Sequence, residues 1–501
     1  MKKILLALVF ICLFVNSSDA KDLYISQGAT GSDTGSNCMN SHSAAWFNSA
    51  SSWGASSTQI SAGDTVHLCG TLTSPIKVQG SGTAEYPITI LFEPNAKFSV
   101  PVLSDNSSFI TASNRSYITI DGGTNGIIEV TNNGTALAYQ RNLYGIFAQG
   151  VSNLIIQNLT INNLYKRTAF SSDGNRFGIG LNLGGSDITV QNCTLTGGDT
   201  MVGVSYGTGS SKNIFIRNNT IGQCNHGITI GAYQVNSNLD NVVIANNRIN
   251  DLDVWEGNEG LHLDGMIIFN EAPDYSGGIS NLQIYGNYIG PNIGNTNTAG
   301  IFIIAYRPSQ SQNVSIYNNI FTSKPPYSWS NGFIAAVGKI YNNTIVAMAG
   351  GTGIGTSGLS EIKNNIIYIQ NQSGSCNPIA VRDYTAVQIN NNLYYCNGSI
   401  SMVIFDGTGT ADFYDLSRWK SMTGFDANSL TADPRFVNIN FANFKIGETS
   451  PAIRAGVNLG AQYATDKNGK SRPVNGAWDI GAYQYSDTNL SPPLNFRKSG
   501  Q

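Results

Sequence analysis

A short phrase with two adjacent asparagines recurs along the chain and constrains its fold more than any other feature. Residues 213–221, NIFIRNNTI, show its form: apolar and polar residues alternate, an Asn pair follows, and a second apolar stretch begins. Alternation with a period of two predicts short strands with one buried face. An Asn pair suits a tight corner between strands, because Asn tolerates left-handed backbone and bonds its own main chain. Similar phrases begin at Asn153, Asp187, Asn241, Asn281 and Asn313, and shorter ones near Val337, Leu359 and Ala386.

The copies are separated by roughly 22 to 40 residues, a spacing typical of solenoids. No copy can bury its apolar face alone, so the copies must stack with parallel strands about 4.8 Å apart. Asn side chains at equivalent corners are expected to form an amide ladder along the stack. From about Val66 to Tyr395 the chain resembles the right-handed parallel β-helix of secreted polysaccharide-degrading enzymes, the pectin-lyase-like superfamily. The resemblance implies an all-β solenoid, but a fold alone does not establish a function.

Segments without the repeated phrase flank the solenoid. We predict a signal peptide over 1–20, an N-terminal cap over 21–65, the β-helix over 66–400, further turns and a cap module over 401–485, and a flexible tail over 486–501. Short helices are expected within 44–54 and 415–422. Residues 443–485 resemble the C-terminal module of many bacterial secreted β-helix proteins, with its SPAI-x-AG and DIGAY elements. We expect this module to cover the last turn, with Asp466, Arg472 and Asp479 in structural roles.

The first twenty residues have the features of a secretory signal. Two lysines precede an apolar run, and the small residues Ser18 and Ala20 end it, so cleavage is expected near Ala20. The run is too short for a membrane span. A net charge of −3 provides no basic field for nucleic acid. We therefore expect a secreted monomer without a membrane span and without a nucleic-acid partner.

The cysteines fit an oxidising compartment. Seven are present, and Cys12 lies within the signal. We predict disulfides between Cys38 and Cys69 and between Cys376 and Cys396. Cys193 and Cys224 lie on neighbouring turns, where they either pair or remain buried free thiols.

Two of the four histidines lie in the repeats, close to an aspartate. His226 and Asp264 each precede a glycine at the same position of consecutive turns, so their side chains are predicted to lie one strand apart on an outward face. His262, two residues before Asp264, is expected on that face too. A carboxylate that orients a histidine and raises its pKa suits general acid–base catalysis. The alternative is a polar ladder on a wet solenoid face.

Residues 194–231 are similar to the central part of polygalacturonases, which have a GDD motif, a strand and a G-H-G turn. The resemblance places Asp199 at the second GDD aspartate, the general acid of that family, and His226 at the G-H-G histidine. Gly198 stands where the other GDD aspartate would be, and no clear R-I-K motif follows. If Asp199, His226 and Asp264 occupy successive turns, the two carboxylates lie about 9 to 10 Å apart, near the separation used by inverting hydrolases. A shift of one residue would turn Asp199 inward.

The longest insertion of the repeats, 251–261, is acidic. Asp251, Asp253, Glu256 and Glu259 offer oxygen ligands of the kind that Ca²⁺ prefers. The alternative is a solvated acidic loop without a metal. No other cofactor is expected.

Further candidates for substrate contact follow on the same turns. Arg307 can neutralise a uronate carboxylate, as β-eliminating lyases require, and Tyr306 or a histidine can act as the base. Four aromatic residues are predicted to stack on sugar rings: Tyr233, Trp255, Tyr275 and Trp329. The sequence therefore favours a carbohydrate-active protein that cleaves a polysaccharide, including uronic-acid polymers, by acid–base hydrolysis. A polysaccharide lyase and a non-catalytic glycan-binding protein are the alternatives.

Overall fold

The computed structural model describes residues 20–133, 141–165, 178–206, 210–232, 235–252, 263–270, 277–294, 297–305, 311–325, 332–370, 374–406 and 408–486. Their strands pair in parallel from one turn to the next and form three sheets that the chain visits in a fixed order, which we name sheets 1, 2 and 3. The chain is a right-handed parallel β-helix, and the predicted all-β fold class is confirmed.

Four long strands bend from one sheet into the next. Leu143–Gln157 and Gly178–Gln191 run from sheet 1 into sheet 2, whereas Thr194–Tyr206 and Thr220–Ala232 run from sheet 3 into sheet 1.

The remaining strands each belong to one sheet. Sheet 1 adds Ile76–Lys77, Ser107–Thr111, Leu263–Asn270, Asn297–Ala305, Gly332–Ala335, Thr352–Thr356, Ser375–Val381 and Met402–Phe405. Sheet 2 adds Asp22–Ser26, Thr65–Leu68, Ile88–Phe92, Ser116–Asp121, Ser211–Arg217, Asn238–Ala245, Gly278–Tyr285, Ser311–Gln312, Ser315–Tyr317, Lys339–Tyr341, Glu361–Lys363 and Gln388–Asn390. Sheet 3 adds Thr71–Leu72, Lys97–Val100, Ile127–Val130, Thr160–Asn162, Arg248–Asn250, Tyr288–Ile289, Ile320–Thr322, Thr344–Ala347, Ile366–Ile369, Leu393–Cys396 and Leu430–Thr431.

Shorter elements lie at the two ends. The strands are His42–Ser43, Ser399–Ile400, Ala411–Tyr414, Phe436–Asn438 and Asn443–Ile446, of which the last two form an antiparallel pair. The α-helices of the described residues are Ala44–Asn48 and Leu416–Thr423, close to the predicted positions. Their 3₁₀ helices are Cys38–Asn40, Ala50–Ser52, Ile439–Phe441 and Ala461–Tyr463. No helix of the described residues is long and apolar enough to cross a membrane.

The interior is a stack of aliphatic side chains, as the period-two alternation predicts. Ile214 and Ile216 on one turn pair with Val242 and Ile244 on the next, and all four are fully buried. Repetition of this contact on every turn gives one continuous core along the helix axis. Each buried aliphatic side chain contributes roughly 1.5–3 kcal/mol of transfer free energy, so the core holds the sheets in register.

The Asn pairs form the corner between sheets 2 and 3. The first Asn of a pair has a left-handed backbone, as Asn218 does with a φ of 58°. The second Asn points inward and is buried. Each inward amide except the last donates from Nδ2 to Oδ1 of the amide on the following turn, at 3.0 or 3.1 Å. The predicted amide ladder is present, and its members are Asn219, Asn247, Asn287, Asn319, Asn343, Asn365 and Asn392.

The C-terminal module does not lie over the last turn, where we expected it. It packs along the side of the β-helix, against the first Asn of several pairs: Asn364 Nδ2 donates to Val457 O at 2.8 Å, and Asn318 Nδ2 donates to Thr465 O at 2.7 Å. The outward amides of the corner offer the hydrogen bonds that fix it there. Within the module, buried Arg472 donates to Asp479 O and Gly481 O, in agreement with a structural role.

The helix Leu416–Thr423 covers the last turn instead. Its Trp419 is fully buried in the same core as the stacked strands, and its indole donates to the Asp426 carboxylate at 2.9 Å. Asp415 caps the helix by accepting the Arg418 N–H, and Gly424 ends it with a φ of 73°.

Both predicted disulfides are confirmed, Cys38–Cys69 and Cys376–Cys396. The other two cysteines do not pair, so the free-thiol alternative is the correct one. Burial raises the pKa of the Cys193 thiol to about 12 and also raises that of Cys224. Both are therefore protonated structural side chains rather than nucleophiles.

Candidate functional site

A column of glycines sets the position of His226 and Asp264. A Cβ on Gly227 would lie 2.5 Å from Gly265 O, and a Cβ on Gly265 would lie 2.5 Å from Gly300 O. The close approach of the backbone requires glycine at each turn. The residues that precede these glycines, His226, Asp264 and Ala299, are consequently register partners on adjacent strands of sheet 1. The predicted alignment of His226 with Asp264 is correct.

His226 is held between a carboxylate and an amide. Its Nε2 lies 3.4 Å from Asp264 Oδ2, and its Nδ1 lies 3.2 Å from Asn225 Nδ2. In this geometry the Asn225 amide faces Nδ1 and the Asp264 carboxylate faces Nε2, so each ring nitrogen has a polar partner. The His226 side chain is 15% exposed.

The partner carboxylate is completely buried. Asp264 has no exposed surface, and its Oδ1 accepts the Ala299 N–H at 3.0 Å. A buried carboxylate must be compensated by donors or by a positive charge. The contacts from His226 and Ala299 contribute to that compensation, and they fix the orientation of the imidazole.

Asp199 occupies a different register from the one we predicted. Thr200, not Asp199, pairs with His226, and the pairs Gly198–Cys224 and Thr200–His226 place Asp199 opposite Asn225. The reason is the distance from the preceding corner, since Asp199 follows Thr194 by five residues whereas His226 follows the equivalent Thr220 by six. The expected stack of Asp199, His226 and Asp264 on one column is therefore wrong.

Asn225 nevertheless connects Asp199 to the histidine. Its Nδ2 lies 3.3 Å from Asp199 Oδ1, and Asp199 Oδ2 accepts the Thr200 hydroxyl at 3.0 Å. Asn225 and Asp199 are both buried, with 1% and 7% exposure. The structure thus joins two carboxylates through one amide and one imidazole. The sequence analysis missed Asn225, although counting from the Thr220 corner would have aligned it with Asp199.

Most of the other predicted site residues lie outside the described residues. These are Tyr233, Asp253, Trp255, Glu256, Glu259, His262, Tyr275, Tyr306, Arg307 and Trp329. Of the four acidic residues proposed for Ca²⁺, only Asp251 is described, and its Oδ1 accepts from the side-chain amides of Asn250 and Asn292. Within the described ranges, no group of three or more His, Cys, Asp or Glu side chains is arranged to hold a metal ion.

An apolar groove continues the outer face of sheet 1 beyond Asp264. It has a volume of about 460 Å³ and runs from Phe302 and Ile304 to Arg382 and Phe405. Arg382 is the one charged residue among the described residues that line it. Nothing in the sequence indicates this groove, because its walls come from strands that are far apart in the chain.

A second histidine–carboxylate cluster lies near the N-terminal end, on sheet 2. His67 Nδ1 lies 2.5 Å from Glu93 Oε1, and its Nε2 lies 3.1 Å from Asp22 Oδ1. Tyr24 stacks on the imidazole with ring centres 4.3 Å apart. Neither carboxylate is buried like Asp264, since their side chains are 29% and 68% exposed.

Comparisons with known proteins identify the fold. Neither a protein-family model nor a curated protein matches the chain. Among solved structures, the complex of XylC with xylose has a TM-score of 0.50 at 10% identity and covers 93% of this chain and 98% of that chain. The chain has a parallel β-helix fold. Pectate lyase Pel9A matches with a TM-score of 0.42 at 15% identity, covering 94% of this chain and 97% of that one. The GH136 lacto-N-biosidase from Eubacterium ramulus matches with a TM-score of 0.44 at 12% identity, covering 82% and 67%. At such identities the matches show a shared β-helix and nothing finer.

Proposed function

We propose that this β-helix is a secreted carbohydrate-active enzyme that cleaves a polysaccharide bound along the outer face of sheet 1. The observation that carries the proposal is the contact between partly exposed His226 and fully buried Asp264, 3.4 Å apart on adjacent strands. A buried carboxylate that orients a partly exposed imidazole is the arrangement that general acid–base catalysis by histidine uses. XylC, which shares the fold, was solved with xylose, and this makes carbohydrates the first ligand class to test.

Asp199 is a positioning residue of the proposed site, because it is buried and lies opposite Asn225 rather than His226. Its two carboxylate oxygens accept hydrogen bonds from Asn225 and Thr200. The same Asn225 amide nitrogen contacts His226 Nδ1, so Asp199 helps to fix the orientation of the imidazole. We propose hydrolysis as the reaction, with the His226–Asp264 pair as its acid–base group. The two disulfides and the N-terminal signal pattern support an extracellular location.

Non-catalytic glycan binding is the second candidate. The observation that favours it is that both nitrogens of His226 already face protein partners, Asp264 and Asn225. A catalytic histidine must release one of these contacts to reach a substrate, whereas a structural histidine keeps both.

A polysaccharide panel assayed with purified protein tests these alternatives. New reducing ends and unsaturated-product absorbance are followed separately, with Ca²⁺ and with a chelator. The variants are His226→Asn and Asp264→Asn, and the matched control is His67→Asn, which removes a histidine from a carboxylate cluster on another sheet. Circular dichroism and thermal unfolding check that each variant is folded.

The hydrolase proposal predicts new reducing ends without unsaturated product. It also predicts a loss of activity of at least about 100-fold in both site variants, and none in the His67 control. Unsaturated product together with reducing ends would replace hydrolysis by β-elimination. Absence of both signals across the panel would overturn the enzyme proposal in favour of glycan binding.

A further inference from the structure

The groove beside the candidate site exposes an ordered row of apolar side chains, as a ligand-binding surface does. Its floor consists of outward side chains in the same columns as Ile267 and Phe269, which lie on the strand of Asp264. Phe302, Ile304 and Phe405 are only partly buried, so apolar surface is open to solvent along the groove. Aromatic and aliphatic surfaces of this kind pack against the apolar faces of ligand rings.

Arg382 places one positive charge on this surface. It is exposed, and its guanidinium lies 5.1 Å from the ring centre of Phe405, which fixes its orientation through a cation–π contact. In the described part of the chain it forms no ion pair.

Neighbouring carboxylates are engaged in their own turns. Asp383 Oδ1 accepts from the backbone and hydroxyl of Thr385, and Asp406 Oδ1 accepts from the backbone and hydroxyl of Thr408. These hydrogen bonds lower the pKa of both carboxyl groups and hold them in place. Arg382 lines the groove and also an adjoining cavity that Asp383, Asp406 and Asp412 line. Its planar guanidinium has donors that match a carboxylate.

From this arrangement we propose that the groove is a subsite for an acidic sugar, whose ring packs on the apolar floor and whose carboxylate pairs with Arg382. The inference rests on the proposed function, because it supplies the class of polysaccharide, a uronic-acid polymer. It also assigns carboxylate recognition to a residue that the sequence analysis did not single out.

The position of Arg382 implies a long substrate. Arg382 directly follows the sheet 1 strand Ser375–Val381. Four strands of sheet 1 separate that strand from the strand of His226, and they begin at Leu263, Asn297, Gly332 and Thr352. Five strand spacings correspond to about 24 Å along the axis. A ligand that contacts both His226 and Arg382 must therefore be an extended oligomer.

Calorimetric titration with defined oligosaccharides tests the subsite. The probes are hexamers of galacturonate, mannuronate and a glucuronate-containing polymer, each beside its methyl-esterified form, which is neutral but has the same rings. The proteins are the wild type, Arg382→Gln and Arg382→Lys. The matched control is Arg248→Gln, because Arg248 is also exposed and lies 4.8 Å from an aromatic ring, that of Tyr288, on sheet 3.

The proposal predicts that at least one acidic hexamer binds about ten times more tightly than its ester, and that Arg382→Gln removes the difference. Arg382→Lys should restore part of it, and Arg248→Gln should leave it intact. Failure of all acidic hexamers to bind, or binding that Arg382→Gln leaves unchanged, would overturn it. Binding without cleavage would retain the acidic subsite and reject the enzyme proposal, so the two ideas fail separately.

Discussion

The corner between sheets 2 and 3 and the outer face of sheet 1 are built on opposite plans. The corner repeats one solution over at least seven turns: an inward Asn follows a residue with left-handed backbone, which is Asn on six of these turns and Gly286 on the other. Every inward amide meets the next at nearly the same distance. The outer face of sheet 1 changes from turn to turn, from Thr200 to His226, Asp264 and Ala299 in a single column. The regular corner keeps the strands of successive turns in register. The outer face of sheet 1 can therefore have different side chains on different turns.

The largest effect that separates the two regions should come from Asp264→Asn. The substitution keeps the shape and the acceptor for the Ala299 N–H, but it removes the negative charge that faces His226. We expect turnover to fall by at least about 100-fold, with a small change in thermal stability. Steady-state kinetics on the substrate that the panel identifies measures the first quantity, and thermal unfolding measures the second. Full activity of a folded Asp264→Asn protein would place the chemistry elsewhere.

Asn319→Ala should have the opposite profile. Asn319 Nδ2 donates to Ile284 O and to Asn343 Oδ1, and its Oδ1 accepts from both Asn287 N and Asn287 Nδ2. Truncation leaves these buried groups unsatisfied, so the free energy of unfolding should fall by about 4 kcal/mol. Urea unfolding measures the loss, and activity below the transition should remain that of the wild type. A loss under about 1 kcal/mol would show that the ladder is replaceable by water.

A pH-dependent effect should appear where the C-terminal module meets the corner. Lys467 Nζ donates to Gly286 O, and burial lowers its pKa to about 8. Between about pH 8 and 10.5 the unfolded chain keeps a proton on Lys467 that the folded protein has released, so stability rises with pH in that window.

Relative to Lys467→Met, the wild type should gain on the order of 2 to 3 kcal/mol between pH 8 and 10.5. Unfolding curves of the two proteins at matched pH give this difference directly, because the other titrations cancel. A difference that stays constant with pH would mean that the amine keeps its ordinary pKa in the fold.

The smallest effect is expected from extending the ladder by one rung. Cys193 stands one turn before Asn219, its N–H donates to Asn219 Oδ1, and its Sγ lies 3.9 Å from Ile156 O, the acceptor that an amide at this position would use. Cys193→Asn should stabilise the protein by up to about 1 kcal/mol. Cys193→Ala, which cannot donate, serves as the control. An Asn variant that is less stable than the Ala variant would show that this turn cannot accept an amide.

The sequence was informative where one rule repeats. The Asn pairs revealed the strands, the corner and the ladder, because each copy confirms the others. The alignment of His226 with Asp264 followed from the glycine after each of them. The predicted register of Asp199 was wrong by one residue. Its strand has no such glycine at the corresponding place, so only the distance from the Thr194 corner fixes its register.

Contacts between distant segments were beyond sequence reasoning. The C-terminal module lies beside Asn318 and Asn364, 147 and 93 residues from their partners in the chain. The groove at Arg382 likewise combines residues from separate turns. No local pattern reports such contacts, because they depend on how the twist and stacking of the finished solenoid bring the segments together.

The amide ladder also gives the β-helix an electrical polarity. Every rung from Asn219 to Asn365 donates toward the C-terminal end, so the amide dipoles add as peptide dipoles do in an α-helix. The oxygen end lies against the Cys193 N–H, and the positive end lies at Asn392.

Buried Asp426 lies beside that positive end. It is hydrogen-bonded to Tyr394, Trp419 and Ser429, and the Ser429 hydroxyl accepts the Asn392 N–H. Burial raises the pKa of Asp426, and the hydrogen bonds from Ser429, Trp419, Tyr394 and Asn392 oppose that rise. The last turn is therefore closed by a buried, fully hydrogen-bonded carboxyl group at the positive terminus of a dipole that runs along the solenoid axis.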